Sequence, residues 1–214
     1  MSLTYAMADP AQRRRGLDAA TSALRRGDLV VLPVDTVYAV ACDAFSDRGV
    51  DRLREAKSAG PDLPLQVLVG TPATIDGLGY GLSKAARDLA EAFWPGGLTL
   101  VVRQQPSLTW DLADAAGTVG LRMPLHPVAL ELLRATGPLA VSAASRAGAL
   151  PPGDVESARS HLGSAVTAYL DGGPTLPAAP STIVDVTGPV PRLLRPGALD
   201  ADTLRSVCPE LASD

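Results

Sequence analysis

The sequence predicts an α/β fold: one domain on a twisted, mixed, open sheet with flanking helices. Short apolar runs of strand length, such as LVVLPV (29–34) and LTLVV (98–102), alternate from end to end with runs of helical period. No linker or internal repeat interrupts that alternation. With 46% apolar and 20% charged residues over 214 positions, the chain can fill one hydrophobic core and does not read as disordered.

Taken in order, Asp9-Pro10 reads as a helix cap and a first-turn proline, and Leu17, Ala20 and Leu24 recur at helical spacing until Gly27 ends the run. LVVLPV follows as a buried strand. Asp47 caps a short helix carrying Val50 and Leu53, which ends around Lys57. LQVLVG (65–70) is the next strand, and TPATIDGL (71–78) opens with a Thr71 cap and Pro72. Ser83 starts a helix through Phe93, LTLVV returns as strand, and VGLRM (119–123) is another. HPVALELLRAT (126–136) is a helix, LAVS (139–142) a strand, and DVESARSHLG (154–163) a helix. AVTAYLDGG (165–173) runs from strand into turn, STIVDVT (181–187) and RLLR (192–195) are strands, and ADTLRSV (201–207) is the final helix.

Composition narrows the function. No apolar run approaches the roughly 20 residues needed to span a bilayer, and the first 16 residues lack the apolar segment of a signal peptide. The expectation is a cytoplasmic protein with no membrane partner. Cys42 and Cys208 are too few and too far apart for a disulfide framework or a zinc cage, and read as reduced thiols. With His126 and His161 the only histidines, no protein-held metal site is expected; any metal would be magnesium carried on a phosphate. The net charge of −4 argues against a surface coated for nucleic acid, although a local basic hollow is compatible with it. The arginines at 13–15 and 25–26 lie on a predicted helix and read as a solvated face. No GxxxxGK[ST] or GxGxxG nucleotide loop is present.

Several residues stand out at strand ends. Arg122 lies in an otherwise apolar strand, where a guanidinium is costly unless it meets an anion. Arg195 closes a strand before Pro196-Gly197, a turn that aims it across the sheet edge. Each alone has the ordinary reading of a salt-bridged structural residue; two such residues in one small domain point to an anion-holding cleft. Lys57 sits where a helix gives way to a Gly-Pro loop, which suits a phosphate-binding ammonium and equally an exposed helix-end lysine. Thr118, Ser181 and Thr182 are hydroxyls at strand starts, with capping or turn roles as the default. Asp171 is the side-chain acceptor expected in the LDGGPT turn (170–175), and Phe93-Trp94 reads as core rather than as a platform for a base. After the LAVS strand, where an α/β protein places ligand-binding donors, the chain offers only Ala143, Ala144, Ser145 and Ala147.

The ordered set DTVY (35–38), FWPGGLTL (93–100), LRMPLHPVA (121–129), LDGG (170–173), STIVD (181–185) and RPG (195–197) resembles the threonylcarbamoyl-AMP synthase family, the YrdC-like proteins, over about residues 27–197. The resemblance implies a single domain over residues 1–214 with a large, positively lined concave cavity. It implies a nucleotidyltransferase: N-carboxylated threonine, from L-threonine and bicarbonate, attacks the α-phosphorus of ATP, and pyrophosphate leaves with Mg2+. A tRNA threonylcarbamoyl-transfer complex then places the group on adenosine 37 of tRNA. Binding of tRNA or double-stranded RNA is a further implication, which the acidic balance does not favour. Carried over by position, the resemblance implies Lys57 as the catalytic, phosphate-side residue. It implies Thr118, Ser145 and Arg195 as further nucleotide contacts, Arg122 as the clamp on the threonine carboxylate and Ser181 as a threonine contact.

The chain also departs from the family pattern. It reads PVDTVYA for PTDTVYG, so Val34 and Ala39 replace threonine and glycine. Ala59 and Leu63 stand where the family has the arginine of Lys-x-Arg-Pro and the asparagine of Asn-Pro-Leu. In AASRAG, against SAN-x-SG, Ala143, Ser145 and Ala147 replace serine, asparagine and serine. A charge-assisted hydrogen bond contributes about 1.5–3 kcal/mol, so the arginine alone corresponds to roughly ten- to a hundredfold weaker handling of ATP. Arg146, new beside this loop, could return a guanidinium to the cavity. Two readings stay open: a working synthase, or a catalytically weakened paralogue that keeps the cavity to bind a nucleotide, an amino acid or RNA.

Overall fold

In LVVLP every residue is buried, yet Leu29 and Val31 pack into one apolar cluster while Val30 and Leu32 pack into another. The period of two sends alternate side chains to opposite faces, so this strand must lie inside a sheet covered on both sides. The computed structural model, which describes residues 2–60, 63–110, 112, 117–175 and 179–213, shows that sheet. Pro61 and Asp62 of the KSAGPDLPL stretch lie outside the described residues.

Among the described residues the strands are β1 (Leu3–Ala6), β2 (Leu29–Pro33), β3 (Tyr38–Asp43), β4 (Gln66–Leu68), β5 (Leu98–Arg103), β6 (Thr118–Arg122), β7 (Leu139–Ala143), β8 (Val166–Asp171), β9 (Thr182–Asp185), β10 (Arg192–Arg195) and β11 (Ala212–Ser213). The helices are α1 (Pro10–Arg25), α2 (Asp47–Ala56), α3 (Thr74–Leu78), α4 (Lys84–Phe93), α5 (Pro127–Thr136), α6 (Val155–Leu162) and α7 (Ala201–Arg205). The strands form one mixed sheet in the order β1-β8-β2-β3-β7-β4-β6-β5-β9-β10-β11. Pairing is parallel at β1–β8, β8–β2, β4–β6, β5–β9 and β10–β11, and antiparallel elsewhere.

Local chemistry explains the helix ends. The Asp9 carboxylate accepts from the backbone N–H groups of Ala11 and Gln12 at 2.8 and 3.0 Å, and Gly27, at φ +73°, turns the chain after α1. Ser46, rather than Asp47, caps α2 by accepting from Gly49 N at 3.1 Å. A hydroxyl reaches back to the third N–H more readily than a residue already in the first turn. Ser83 and Asp154 cap α4 and α6 in the same way. The predicted Thr71 cap is absent; α3 starts after Ala73, and the Thr71 hydroxyl pairs with that of Thr74 at 3.0 Å.

Three strands are absent from the sequence reading, one of them the short edge strand Ala212–Ser213 that pairs with β10. Tyr38–Asp43, which begins at the tyrosine of the DTVY motif, is a buried strand, the antiparallel partner of both β2 and β7. The turn between β2 and β3 is closed by Val34 N donating to Val37 O, which folds two apolar runs into a hairpin. The N-terminal Leu3–Ala6 pairs with β8 as an edge strand; its outer residues Leu3 and Thr4 are exposed, so no alternation marks it.

Helices α1 and α5 pack on one face of the sheet, through Leu17, Leu24, Leu132 and Leu133. The opposite face is covered by α2, α4 and α6, through Leu53, Leu89 and Leu162. Leu98, Leu100, Leu121 and Val184 of β5, β6 and β9 turn to that second face. Their neighbours Thr99, Val101, Gly120 and Ile183 turn to the first face and line a hollow.

Gly197 closes this end of the sheet. A Cβ there would collide with the Pro180 carbonyl and lie 2.7 Å from Ser181 C and Thr182 N. Gly197→Ala is expected to cost about 2–3 kcal/mol, read as a lower urea midpoint at unchanged slope.

Candidate active site

The hollow has a volume of about 520 Å³. Its walls are period-two residues: Gln66 and Leu68 from β4, Thr99 and Val101 from β5, Thr118, Gly120 and Arg122 from β6, and Val141 and Ala143 from β7. Ser181, Ile183, Leu194 and Arg195 close the side beyond β5. Where the resemblance implies a positively lined cavity, the described lining carries two cations, Arg122 and Arg195, on mostly apolar walls.

Arg122, only 4% exposed, is held on three sides. Its Nε donates to Gly96 O at 3.0 Å, Nη1 to Thr36 Oγ1 at 3.0 Å, and Nη2 to Asp35 Oδ1 at 2.7 Å. The FWPGG turn delivers Gly96, whose N–H in turn donates to Met123 O at 2.8 Å. A guanidinium has five N–H bonds; three are engaged here, which leaves one on each terminal nitrogen among the described contacts. Two N–H donors are the number that a carboxylate accepts from a guanidinium in a two-point contact. Burial lowers the Arg122 pKa, and the Asp35 carboxylate opposes that shift.

Arg195 is anchored to Ser181. Nε and Nη2 donate to Ser181 O at 3.1 and 2.7 Å, and Nη2 also reaches Ser181 Oγ at 3.1 Å. Ser181 Oγ lies 2.8 Å from Thr99 Oγ1, which donates weakly to Gln66 Oε1 at 3.4 Å. An arginine only donates, so the chain runs from Arg195 through the two hydroxyls to the amide oxygen. Burial, and then the charge of Arg122, lowers the Arg195 pKa; the two guanidiniums therefore share one electrostatic environment.

Thr118, Arg122, Ser181 and Arg195 thus meet at one cavity, whereas the remaining candidates stand off its wall. The buried Lys57 ammonium donates to Ala143 O at 2.7 Å and Ser145 O at 2.5 Å, and Ala147 N donates to Lys57 O at 2.9 Å. Lys57 clasps the loop after β7 instead of lying on an exposed helix end. Burial pulls its pKa down to about 8. Ser145 is buried behind the lining, its hydroxyl 3.3 Å from Ala149 O. Arg146 does not return a cation to the cavity: it is exposed, and its Nε donates to His161 O at 3.2 Å, at the end of α6.

The substituted positions divide in the same way. Val34, Ala39 and Ala143 line the cavity, while Leu63 packs against the core and Ala147 is exposed. Thr182 is structural, exchanging hydrogen bonds with the backbone of Leu199. Trp94 is core, donating to Leu98 O at 2.8 Å. Asp171 accepts from Gly173 N at 2.9 Å in its turn.

Sequence reasoning missed Asp35, Thr36, Gln66 and Thr99 as parts of the site. Gln66 and Thr99 carried a usable signal, since each is a polar residue in a buried apolar strand, the criterion that singled out Arg122. Among the described residues, no group of three or more His, Cys, Asp and Glu side chains is gathered as a metal ion would need. No helix among them is long and apolar enough to cross a membrane.

A mixed α/β sheet with a hollow that holds the buried Arg122 and the half-buried Arg195 is the architecture of a YrdC-like domain, and the comparisons agree. The Sua5/YciO/YrdC family model, described as "Telomere recombination", matches residues 22–197, so the chain belongs to that family. It is 55% identical over 207 residues to a Mycobacterium tuberculosis protein named "Putative threonylcarbamoyl-AMP synthase", with 97% of this chain and 95% of that protein covered. It is 33% identical over 190 residues to the threonylcarbamoyl-AMP synthase of Bacillus subtilis, covering 88% of this chain and 55% of that one. The crystal structure of Pyrococcus abyssi Sua5 complexed with L-threonine superposes with a TM-score of 0.91 at 28% identity. That match covers all of this chain, which spans 62% of the Pyrococcus protein.

The Lys57 shift has a stability consequence. Below about pH 8 the ammonium is charged in both the folded and unfolded states. Above it the folded chain releases the proton first, while the unfolded chain holds it to the usual 10.5. The unfolded state then binds more protons, so stability rises with pH across that window. Relative to Lys57→Met, the wild type should gain at most about 3 kcal/mol between pH 8 and 10.5, measured by urea unfolding.

Proposed function

We propose that this chain is a threonylcarbamoyl-AMP synthase acting in the cytoplasm, its activity carried by the single domain over residues 1–214. It joins L-threonine, bicarbonate and ATP into threonylcarbamoyl-AMP, releasing pyrophosphate and water, and supplies the product to a complex that modifies adenosine 37 of tRNA. The observation that carries this reading is the buried Arg122, caged on three sides, with an N–H left on each terminal nitrogen and a second guanidinium sharing its cavity. The name of the 55%-identical relative supports it.

In this reading Arg122 takes the carboxylate of threonine in a two-point contact, with Ser181 beside it. Arg195 faces the nucleotide, its guanidinium already aimed by Ser181, so little reorganisation is needed when phosphate charge arrives. Thr118 lines the same wall. Lys57, charged at neutral pH and bonded to the carbonyl of the lining residue Ala143, holds the loop after β7 on the phosphate side. Mg2+ enters as part of the ATP substrate and leaves with pyrophosphate. Lining up the carbamate oxygen with the α-phosphorus is positional work, which a preformed cavity performs.

A second reading, a paralogue that binds these ligands without efficient turnover, draws on one observation: Ala143 lines the cavity where the family motif has serine, while Arg146 turns away.

Purified protein given ATP, L-threonine, bicarbonate and Mg2+ should release pyrophosphate at least tenfold faster than Lys57→Ala, and omission of threonine should abolish that difference. Calorimetric binding of ATP and threonine with no pyrophosphate above the variant would establish the second reading instead. Neither binding nor turnover would remove both.

A further inference from the structure

Asp35 is not part of the cavity wall, yet it holds Arg122 from behind. Its Oδ1 accepts from Arg122 Nη2 at 2.7 Å and from the backbone N–H of Leu125 at 3.0 Å. One carboxylate oxygen therefore joins the turn after β2 to the segment that follows β6. The side chains of Arg122 and Asp35 are 5% and 18% exposed, so water does little to screen the pair. Thr36, the next residue, supplies a neutral acceptor to Nη1 of the same guanidinium.

The charge balance matters as much as the geometry. Arg122 and Arg195 lie in one cavity, and the charge of Arg122 makes a positive charge on Arg195 less favourable. With Asp35 paired to Arg122, the cluster carries one net positive charge rather than two. A hollow with two uncompensated guanidiniums draws any small anion; one with a single net charge and a fixed fork discriminates by shape.

We propose that Asp35 is a positioning residue that aims the Arg122 fork and cancels its charge, so that the cavity selects an amino-acid carboxylate by geometry instead of by attraction to anions in general. This rests on the reading of Arg122 as the carboxylate-binding group. Asp35 itself touches no substrate. Its removal should move affinity for the amino acid and affinity for a bare anion in opposite directions, whereas the loss of a purely structural contact would weaken both.

The test uses the full chain with Asp35→Asn, Asp35→Glu and Thr36→Val, each checked for cooperative unfolding first. Calorimetry measures L-threonine and inorganic phosphate separately. Asp35→Asn should weaken threonine binding about tenfold and tighten phosphate binding severalfold. Asp35→Glu should restore much of the threonine affinity, and Thr36→Val should weaken threonine without tightening phosphate. Nitrogen-detected NMR of the Arg122 guanidinium, assigned by its loss in Arg122→Lys, should show restricted Nη rotation in the wild type and averaging in Asp35→Asn. Should Asp35→Asn shift both affinities the same way, or leave both within twofold, the proposal is overturned. If Asp35→Asn does not fold, Asp35→Glu decides: a phosphate affinity tightened as threonine is lost would contradict charge cancellation. Wild-type protein that binds no threonine would refute the functional reading, while the phosphate and NMR arms would still judge Asp35 on its own.

Discussion

A charged guanidinium at the inner end of a central strand is the constraint on which this structure turns. Arg122 is almost fully removed from water, and an unpaired charge there would be prohibitive. Its partners come from distant parts of the chain: Asp35 and Thr36 from the turn after β2, and Gly96 from the turn before β5. Satisfying one side chain thus fixes the relative placement of two turns, and Asp35 carries the restraint on to Leu125. The DTVY and FWPGG motifs, more than 50 residues apart in sequence by the contacts they make to Arg122, are in this sense two halves of one cage.

The cavity follows from how the sheet is covered. Helices α1 and α5 bury one part of the first face against β2 and β8, and the face of β4, β6, β5 and β9 beyond them forms the hollow. The alternation that sends Leu98, Leu100 and Leu121 into the core sends Thr99, Gly120 and Arg122 toward the ligand side. Core and site are therefore written on the same strands in alternate letters. Gly197 completes the arrangement, since only a residue without a side chain fits against the backbone of Pro180–Thr182, and that backbone carries the carbonyl that anchors Arg195.

The departures from the family pattern look different in three dimensions. Ala147 is exposed, Leu63 has become part of the apolar packing, and Ser145 is turned to the Ala149 carbonyl behind the wall. Val34, Ala39 and Ala143 are the changes that reach the cavity itself, and all three make it more apolar. What remains polar is concentrated in the Arg122 cage and in the Arg195–Ser181–Thr99–Gln66 chain. Lys57 contributes from one step back, through two carbonyls of the loop after β7.

The sequence by itself determined the mixed α/β class, most helices with their serine and aspartate caps, and Arg122 and Arg195 as strand-end cations pointing to an anion-holding cleft. These are properties of local chemistry and of period-two alternation, so neighbouring residues suffice to reveal them; Thr118 and Ser181 joined that cleft only through the family resemblance. The sequence did not reveal the strands at Leu3–Ala6, Tyr38–Asp43 and Ala212–Ser213, because edge strands and a hairpin arm are stabilised by partners elsewhere along the chain. Nor could it decide which way a long side chain points. Lys57 bonded to carbonyls, Arg146 turned to the end of α6, and Asp35 behind Arg122 are settled by hydrogen-bond partners 86, 15 and 87 positions away. Only the tertiary structure brings those partners within reach, because a buried donor or charge takes its orientation from whatever packing places beside it.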